Sequence, residues 1–511
     1  MKIELVERGL CRIMAETNDE LEPIRNFFKT ENDNKFFVQH HNPQYSAPDF
    51  KYGISALGVF KIGLIMSVLK VMKSLDIKPE VDKKIFENLF PIKHLNIRPL
   101  VFELPCESNE DFENREYQHE AVEKNLKRGR GVTVMATGSG KSFVIAKTLY
   151  SLLKTEPEKI KHCLILVPTT NLVIQFYKDL LSYGLTEDEV SMFSSKEKEC
   201  KNTSIIISNR QWLNNHIDKL PHIDVLQVDE AHTFSSPGSN SSDMVANFET
   251  NIKFGCTATL PNTIDRNWDL IGNIGPVLYK KNAKDMLEDD YISDLYITSI
   301  KMRDKDIDKD KQCLFSLNRK VSSENIQEAY ELERKYITDN MHKLYEQPFL
   351  YIKNESKGTN TLFLFDYIEF GKSFYEFVKK EMGPTKYGKD KVFYIDGKID
   401  VLEREKIRKT IEETEDAIII AQSVCFNTGI NIKKLHNIGF IFNSKSGTKI
   451  IQSIGRGLRK HETKKEMHLY DINFNFKYSE RHFKERKRIY KKEYNKDVTQ
   501  EVLFKVETIY V

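Results

Sequence analysis

Val132-Thr133-Val134-Met135-Ala136-Thr137-Gly138-Ser139-Gly140-Lys141-Ser142 reads as a β-branched strand running into a glycine-flanked loop that opens a helix. Gly138 and Gly140 let the backbone approach phosphate oxygens that a β-carbon would keep away. The helix N-terminus adds oriented N–H groups. Lys141 is placed to reach the β- and γ-phosphates, and the Ser142 hydroxyl to ligate Mg²⁺. Met135 stands where longer versions of this loop begin with glycine. Further on, Val228-Asp229-Glu230-Ala231-His232 follows an apolar run. That puts Asp229 at the C-terminal end of a strand, where open α/β sheets bind ligands. Asp229 is the expected Mg²⁺ holder, and Glu230 the residue that positions or deprotonates the attacking water. A chain with both elements is expected to hydrolyse a nucleoside triphosphate.

Working outward, apolar runs at Cys163–Val167, Ser204–Ile207, Val225–Val228 and Phe254–Thr257 alternate with helical stretches such as Asn171–Ser182. Such alternation is the mark of βαβ units in a parallel sheet. It restarts with strands at Thr361–Phe365, Val392–Ile395, Ala417–Ala421, Ile438–Phe442 and Met467–Tyr470. Helices fall between them at Phe370–Glu381, Glu403–Glu413 and Lys449–Arg459, and the charged segment Arg303–Lys311 reads as a surface loop. Residues 1–105 differ: a strand at Ile3–Met14, a helix near Glu20–Lys29, a strand at Phe36–His40 and a helix at Lys61–Leu75. Pro99, Pro105 and the acidic Glu107–Glu113 read as a linker. The expected fold is two parallel α/β lobes in tandem, preceded by a small α/β domain.

At 511 residues the chain is too long for one core. A 40% hydrophobic and 30% charged composition fits a globular protein, and a net charge of +3 says little about partners. The basic residues cluster, from Lys433 to Lys465 and from Lys477 to Lys496, the latter interleaved with Tyr478, Phe483, Tyr490 and Tyr494. Such a run is a nucleic-acid surface or simply a solvated helix face. Seven scattered cysteines without a C-x-x-C pair point to a reducing compartment and away from zinc. Neither a signal-peptide core nor a charge-free apolar span occurs, so a cytoplasmic location is expected.

The third element is Gln452-Ser453-Ile454-Gly455-Arg456-Gly457-Leu458-Arg459. On one helix, Gln452, Arg456 and Arg459 would share a face. Two glycines there cost about 1 kcal/mol each relative to alanine, which suggests close approach by another surface. The expected partner is the bound nucleotide, with the two arginines neutralising charge on the γ-phosphate. An arginine in that role is worth about 10³–10⁵ in rate.

This ordered set resembles the superfamily 2 helicases. Arg115-Glu116-Tyr117-Gln118 resembles the adenine-recognising glutamine motif, with Gln118 the matched residue, and Ala136–Ser142 resembles motif I. Pro168-Thr169-Thr170 matches motif Ia, Asp229–His232 motif II in its DEAH form, and Thr257-Ala258-Thr259 motif III. Thr428-Gly429-Ile430-Asn431 matches motif V and Gln452–Arg459 motif VI. Over nearly the whole chain the pattern is similar to the UvsW-type helicases of T-even phages, though it lacks their Trp-Asp-Gly loop near Tyr52-Gly53-Ile54. It also carries the ordinary Ser139-Gly140-Lys141-Ser142 loop, where the T-even protein has Ala-Gly-Arg-Ser.

The resemblance implies two RecA-like lobes, at 106–296 and 297–480, a DNA-binding N-terminal domain at 1–105, and a basic-aromatic tail at 481–511. It implies ATP and Mg²⁺ as cofactors, bound through Gln118 and Thr137–Ser142, with Ser142 and Asp229 on the metal. Coupling falls to His232, Thr257, Thr259, Gly429 and Gln452. Nucleic-acid contact falls to Thr170, Arg210 and Thr428. The implied partners are branched or single-stranded DNA, RNA–DNA hybrids, and single-strand-binding or recombination proteins. The implied work is fork regression, Holliday-junction migration and R-loop unwinding. Two other readings stay open: an ATP-switched clamp or annealing protein, and a restriction motor, for which no Pro-Asp…Glu-x-Lys cluster appears.

Overall fold

The computed structural model describes residues 1–7, 9–32, 47–98, 100–109, 112–113, 115–304, 326–382, 391–399, 401–427, 432–441 and 446–506. Two units emerge. One comprises Met1–Ala136 with Gly140–Lys281, the other Asn282–Val511 with Thr137–Ser139. The strand expected at Phe36–His40, motif V and most of the Arg303–Lys311 loop lie outside the described residues.

The first unit is built on a seven-stranded sheet. Its order is Val277–Lys281, Arg130–Met135, Ile252–Thr257, Val225–Asp229, Cys163–Val167, Ile205–Asn209 and Val190–Phe193, with every pairing parallel. The central strands are buried throughout, as helices on both faces require. Asp229 is the last residue of its strand, and the helix Lys141–Thr155 starts straight after the glycine loop.

The N-terminal region belongs to this same unit. The stretch Ile3–Met14 is not one strand but an antiparallel pair, Lys2–Leu5 and Leu10–Met14, because Gly9 at φ +79° turns the chain between them. With Val59–Lys61 and Glu80–Val81 they form a four-stranded sheet. The expected helix at Lys61–Leu75 is Ile65–Ser74 preceded by a 3₁₀ turn, with Lys61 ending a strand. This small domain is fastened to the helix Ile264–Asn273. Lys61 pairs with Asp269 at 2.5 Å, Lys51 with Asp265 at 2.6 Å, and Phe28 packs on Trp268. A β-carbon on Gly63 would overlap the Ile271 carbonyl oxygen, so glycine permits this close seat.

The second unit carries another seven-stranded parallel sheet, in the order Val392–Ile395, Ile418–Gln422, Thr361–Phe365, Asn437–Phe440, Glu466–Phe474, Asp294–Asp304 and Gln500–Val506. An aromatic-rich core around Tyr345, Phe349, Phe363 and Phe374 fills one face. The segment expected as a tail is integral to this sheet. The helix Lys477–Tyr494 buries Tyr478, Phe483, Tyr490 and Tyr494, and Gln500–Val506 closes the edge. Those aromatics are therefore core, not a stacking platform. Arg486, fully buried, makes a two-pronged bond to Asp471 at 2.7 and 2.9 Å, and the Tyr490 hydroxyl donates to the same carboxylate.

Candidate active site

The glycine loop sits at the C-terminal edge of the first sheet. Gly138 and Gly140 both take the left-handed conformation, at φ +85° and +79°. Gln118 is 5% exposed, and a β-carbon on Gly140 would strike its amide nitrogen. The glutamine thus lies against the loop. Lys141 Nζ donates to the Met135 and Ala136 carbonyls at 3.4 Å each, which holds the ammonium over the strand end. Ser142 Oγ shares a 2.8 Å hydrogen bond with the Tyr183 hydroxyl, and Ser139 is fully buried within the loop. The linker's Glu107 turns inward to pair with the buried Lys147 of the loop's helix.

Asp229 is 7% exposed, and its Oδ1 has no hydrogen-bond partner among the described residues. Burial, then the neighbouring Glu230, pushes its carboxyl up to about 7, while Lys141 pulls it back. A buried acid short of a partner, flanked by a second carboxylate and within electrostatic reach of a lysine, fits a hard divalent cation such as Mg²⁺. Glu230 follows at φ +46°, a left-handed conformation uncommon outside glycine. Strain of this kind clusters at functional sites.

A polar chain leads away from Glu230. His232 Nδ1 lies 3.4 Å from Glu230 Oε2 and 2.8 Å from Thr257 Oγ1. Thr257 Oγ1 in turn donates to the Thr259 carbonyl at 2.8 Å. Burial, more than any charge, holds His232 below the usual imidazole range. Arg266 is a residue the sequence reading missed. Its Nη2 donates to the His232 carbonyl at 3.1 Å and its Nε to the Ser235 carbonyl at 3.4 Å. Arg266 lies on the helix that seats the N-terminal domain. Only its position seven residues beyond Thr259 could have flagged it.

Of the nucleic-acid candidates, Thr170 begins the helix Thr170–Ser182 and accepts from Asn209 Nδ2 at 3.2 Å. Arg210 begins the next short helix and donates to Ser241 Oγ at 3.3 Å. Thr428 and Gly429 lie outside the described residues. In the second unit, Gln452 and Arg456 share the helix Gly447–Gly457, but Arg459 does not. That helix ends at Gly457, whose missing side chain makes room for Ile438 and Met467, so Arg459 follows as a non-helical residue. Arg456 is 8% exposed with its guanidinium 5.9 Å from the Phe426 ring centre. Ser293 Oγ donates to the Arg459 carbonyl at 3.5 Å.

Residues 111–262 match the family described as the type III restriction enzyme res subunit. The ATP-dependent DNA helicase UvsW of Enterobacteria phage T4 is 26% identical over 468 residues, covering 88% of this chain and 86% of the relative. A DNA 3′-5′ helicase XPB of Kineococcus radiotolerans is 30% identical over 187 residues, covering 35% of this chain and 32% of that protein. Among solved structures, S. cerevisiae Dbp5 bound to RNA and ADP BeF3 superposes with a TM-score of 0.54 at 12% identity, covering 80% of this chain and 95% of that one.

Proposed function

We propose that this chain, a superfamily 2 helicase similar to phage T4 UvsW, is a DNA-stimulated ATPase that translocates along one strand and remodels branched DNA. The observation that carries the reading is the grouping of Lys141, Asp229 and Glu230 at the C-terminal edge of one parallel sheet. Gln118 would read the adenine, and Thr137–Ser142 would wrap the phosphates through backbone N–H groups. Ser142 and Asp229 would hold Mg²⁺, which when bound neutralises charge on the phosphate oxygens. Glu230 would orient the attacking water and take its proton. His232, Thr257 and Thr259 would relay the loss of the γ-phosphate through the hydrogen-bonded chain described above. Arg456 and Arg459 would supply positive charge to the phosphoryl group in transit. Gln452 and Gly429 would join that response.

On the nucleic acid, Thr170, Arg210 and Thr428 would touch backbone phosphates. Contact of that kind gives little sequence preference and a steep salt dependence. The substrates proposed are stalled forks, four-way junctions, single strands and RNA–DNA hybrids, in recombination, repair and replication. A phage-encoded chain would work in the host cytoplasm alongside single-strand-binding or recombination proteins. No helix among the described residues is long and apolar enough to cross a membrane. The test is a strand-displacement and branch-migration assay on forks, junctions and R-loops. ATP-dependent product on branched substrates supports the reading. Strong DNA-dependent ATPase with neither displacement nor migration favours an ATP-switched clamp.

A further inference from the structure

Two cations stand side by side where no carboxylate answers them. Arg130, the first residue of its strand, and Lys253, the second of the neighbouring parallel strand, are register partners at the end of the sheet opposite the glycine loop. Like charges placed directly across a sheet repel. Both are buried, at 5% and 3% exposure, and neither has an ion-pair partner among the described residues. Each touches the end of a helix. Arg130 Nη2 donates to the carbonyl of Asn273, which ends the helix Ile264–Asn273. Lys253 Nζ donates to the Val245 and Ala246 carbonyls in the last turn of Asn240–Asn247. A helix C-terminus offers only about half a unit of negative charge, so these contacts offset part of the pair's charge and leave the rest. Arg130 Nε is buried with no hydrogen-bond partner among the described residues.

Beside them opens a cleft of about 270 Å³ between the N-terminal domain and the base of the sheet. Its lining adds Lys61, Asn88 and Asn251, and its one acid among the described residues is Glu249, which is exposed. Lys61 is already neutralised by Asp269. What remains is a polar, positively charged recess with amide donors at its mouth.

We propose that this cleft binds a phosphate group, gripped by Arg130 and Lys253 and fringed by Asn88 and Asn251. Burial already pulls the Arg130 guanidinium down to about 10 and Lys253 well below the lysine range, and an anion seated between them would relieve both. The site lies away from Lys141 and Asp229 and stands whether or not the helicase reading does. The phosphate is either free in solution or the terminal phosphate of a nucleic-acid strand.

Isothermal titration at fixed ionic strength, on full-length chain carrying Lys141→Ala to silence the glycine loop, tests this with inorganic phosphate. Saturable binding is expected. Asn251→Asp, isosteric and at the exposed mouth, should weaken it roughly tenfold by adding a like charge. Glu249→Gln should tighten it severalfold. In chain that keeps Lys141, both mouth variants should retain ATPase within twofold, which separates this cleft from the ATP site. A 5′-phosphorylated oligonucleotide that outbinds its 5′-hydroxyl twin only when Asn251 is intact identifies a strand end as the source. Equal binding of the twins identifies free phosphate. Both variants titrating like the parent, or no saturable binding at all, would overturn the proposal.

Discussion

Lys141 already leans on the Met135 and Ala136 carbonyls, so a triphosphate would exchange two weak 3.4 Å contacts for full opposite charge. Lys141→Ala should therefore abolish ATP turnover while DNA affinity in low salt stays near the parent's. Retained turnover would remove the lysine from its role. Arg456→Ala should lower kcat by at least about 10²-fold with little change in nucleotide affinity, and an unchanged kcat would exclude a part in the chemistry. His232 carries a pH signature. Its folded imidazole is held below its usual range, so the unfolded chain binds the proton more readily. The His232 contribution to the stability of the nucleotide-free protein should accordingly rise as pH climbs through about 6.5, the unperturbed histidine value, opposite in sign to that of the raised Asp229 carboxyl. His232→Gln should remove that contribution, so the parent's stability relative to the variant should grow between pH 5.5 and 7.5 in denaturant titrations.

At the scale of elements, the helix Ile264–Asn273 is the part with most at stake. One side holds the His232 carbonyl through Arg266, and another holds the N-terminal domain through Asp265, Trp268 and Asp269. Gly63→Val should push that domain off the helix and expose Trp268, read as a red-shifted tryptophan emission. An unchanged spectrum would mean the seat tolerates a side chain. In the second unit, Asp471→Asn leaves the buried Arg486 without its counter-charge. A loss of about 3–5 kcal/mol in unfolding free energy is expected.

The central strands were legible in the sequence because burial on both faces makes them continuous apolar runs, as at Cys163–Val167 and Thr361–Phe365. Two of the elements that escaped are half-exposed. Val277–Lys281 and Gln500–Val506 lie at sheet edges and mix charge with apolar residues, so they carry no strong period. The Lys2–Met14 hairpin hid because its turn interrupts two strands of the same apolar pattern. In the site, Lys141, Asp229 and Glu230 were readable from spacing. Arg266 was not, since a main-chain contact leaves no trace in residue type.

At the scale of the whole molecule, each unit carries its own parallel sheet, and the proposed motor draws on motifs from both. DNA affinity resting on phosphate contact should fall steeply with salt, and Arg210→Ala should reduce the slope of log K against log salt by about one. The most direct measurement is ATP hydrolysis by the parent and by Glu230→Gln, with and without a branched DNA. The account predicts that DNA stimulates the parent. The variant should bind ATP within threefold yet turn it over about 10²–10⁴-fold more slowly on the same DNA. A Glu230→Gln variant that hydrolyses ATP at the parent rate would contradict it.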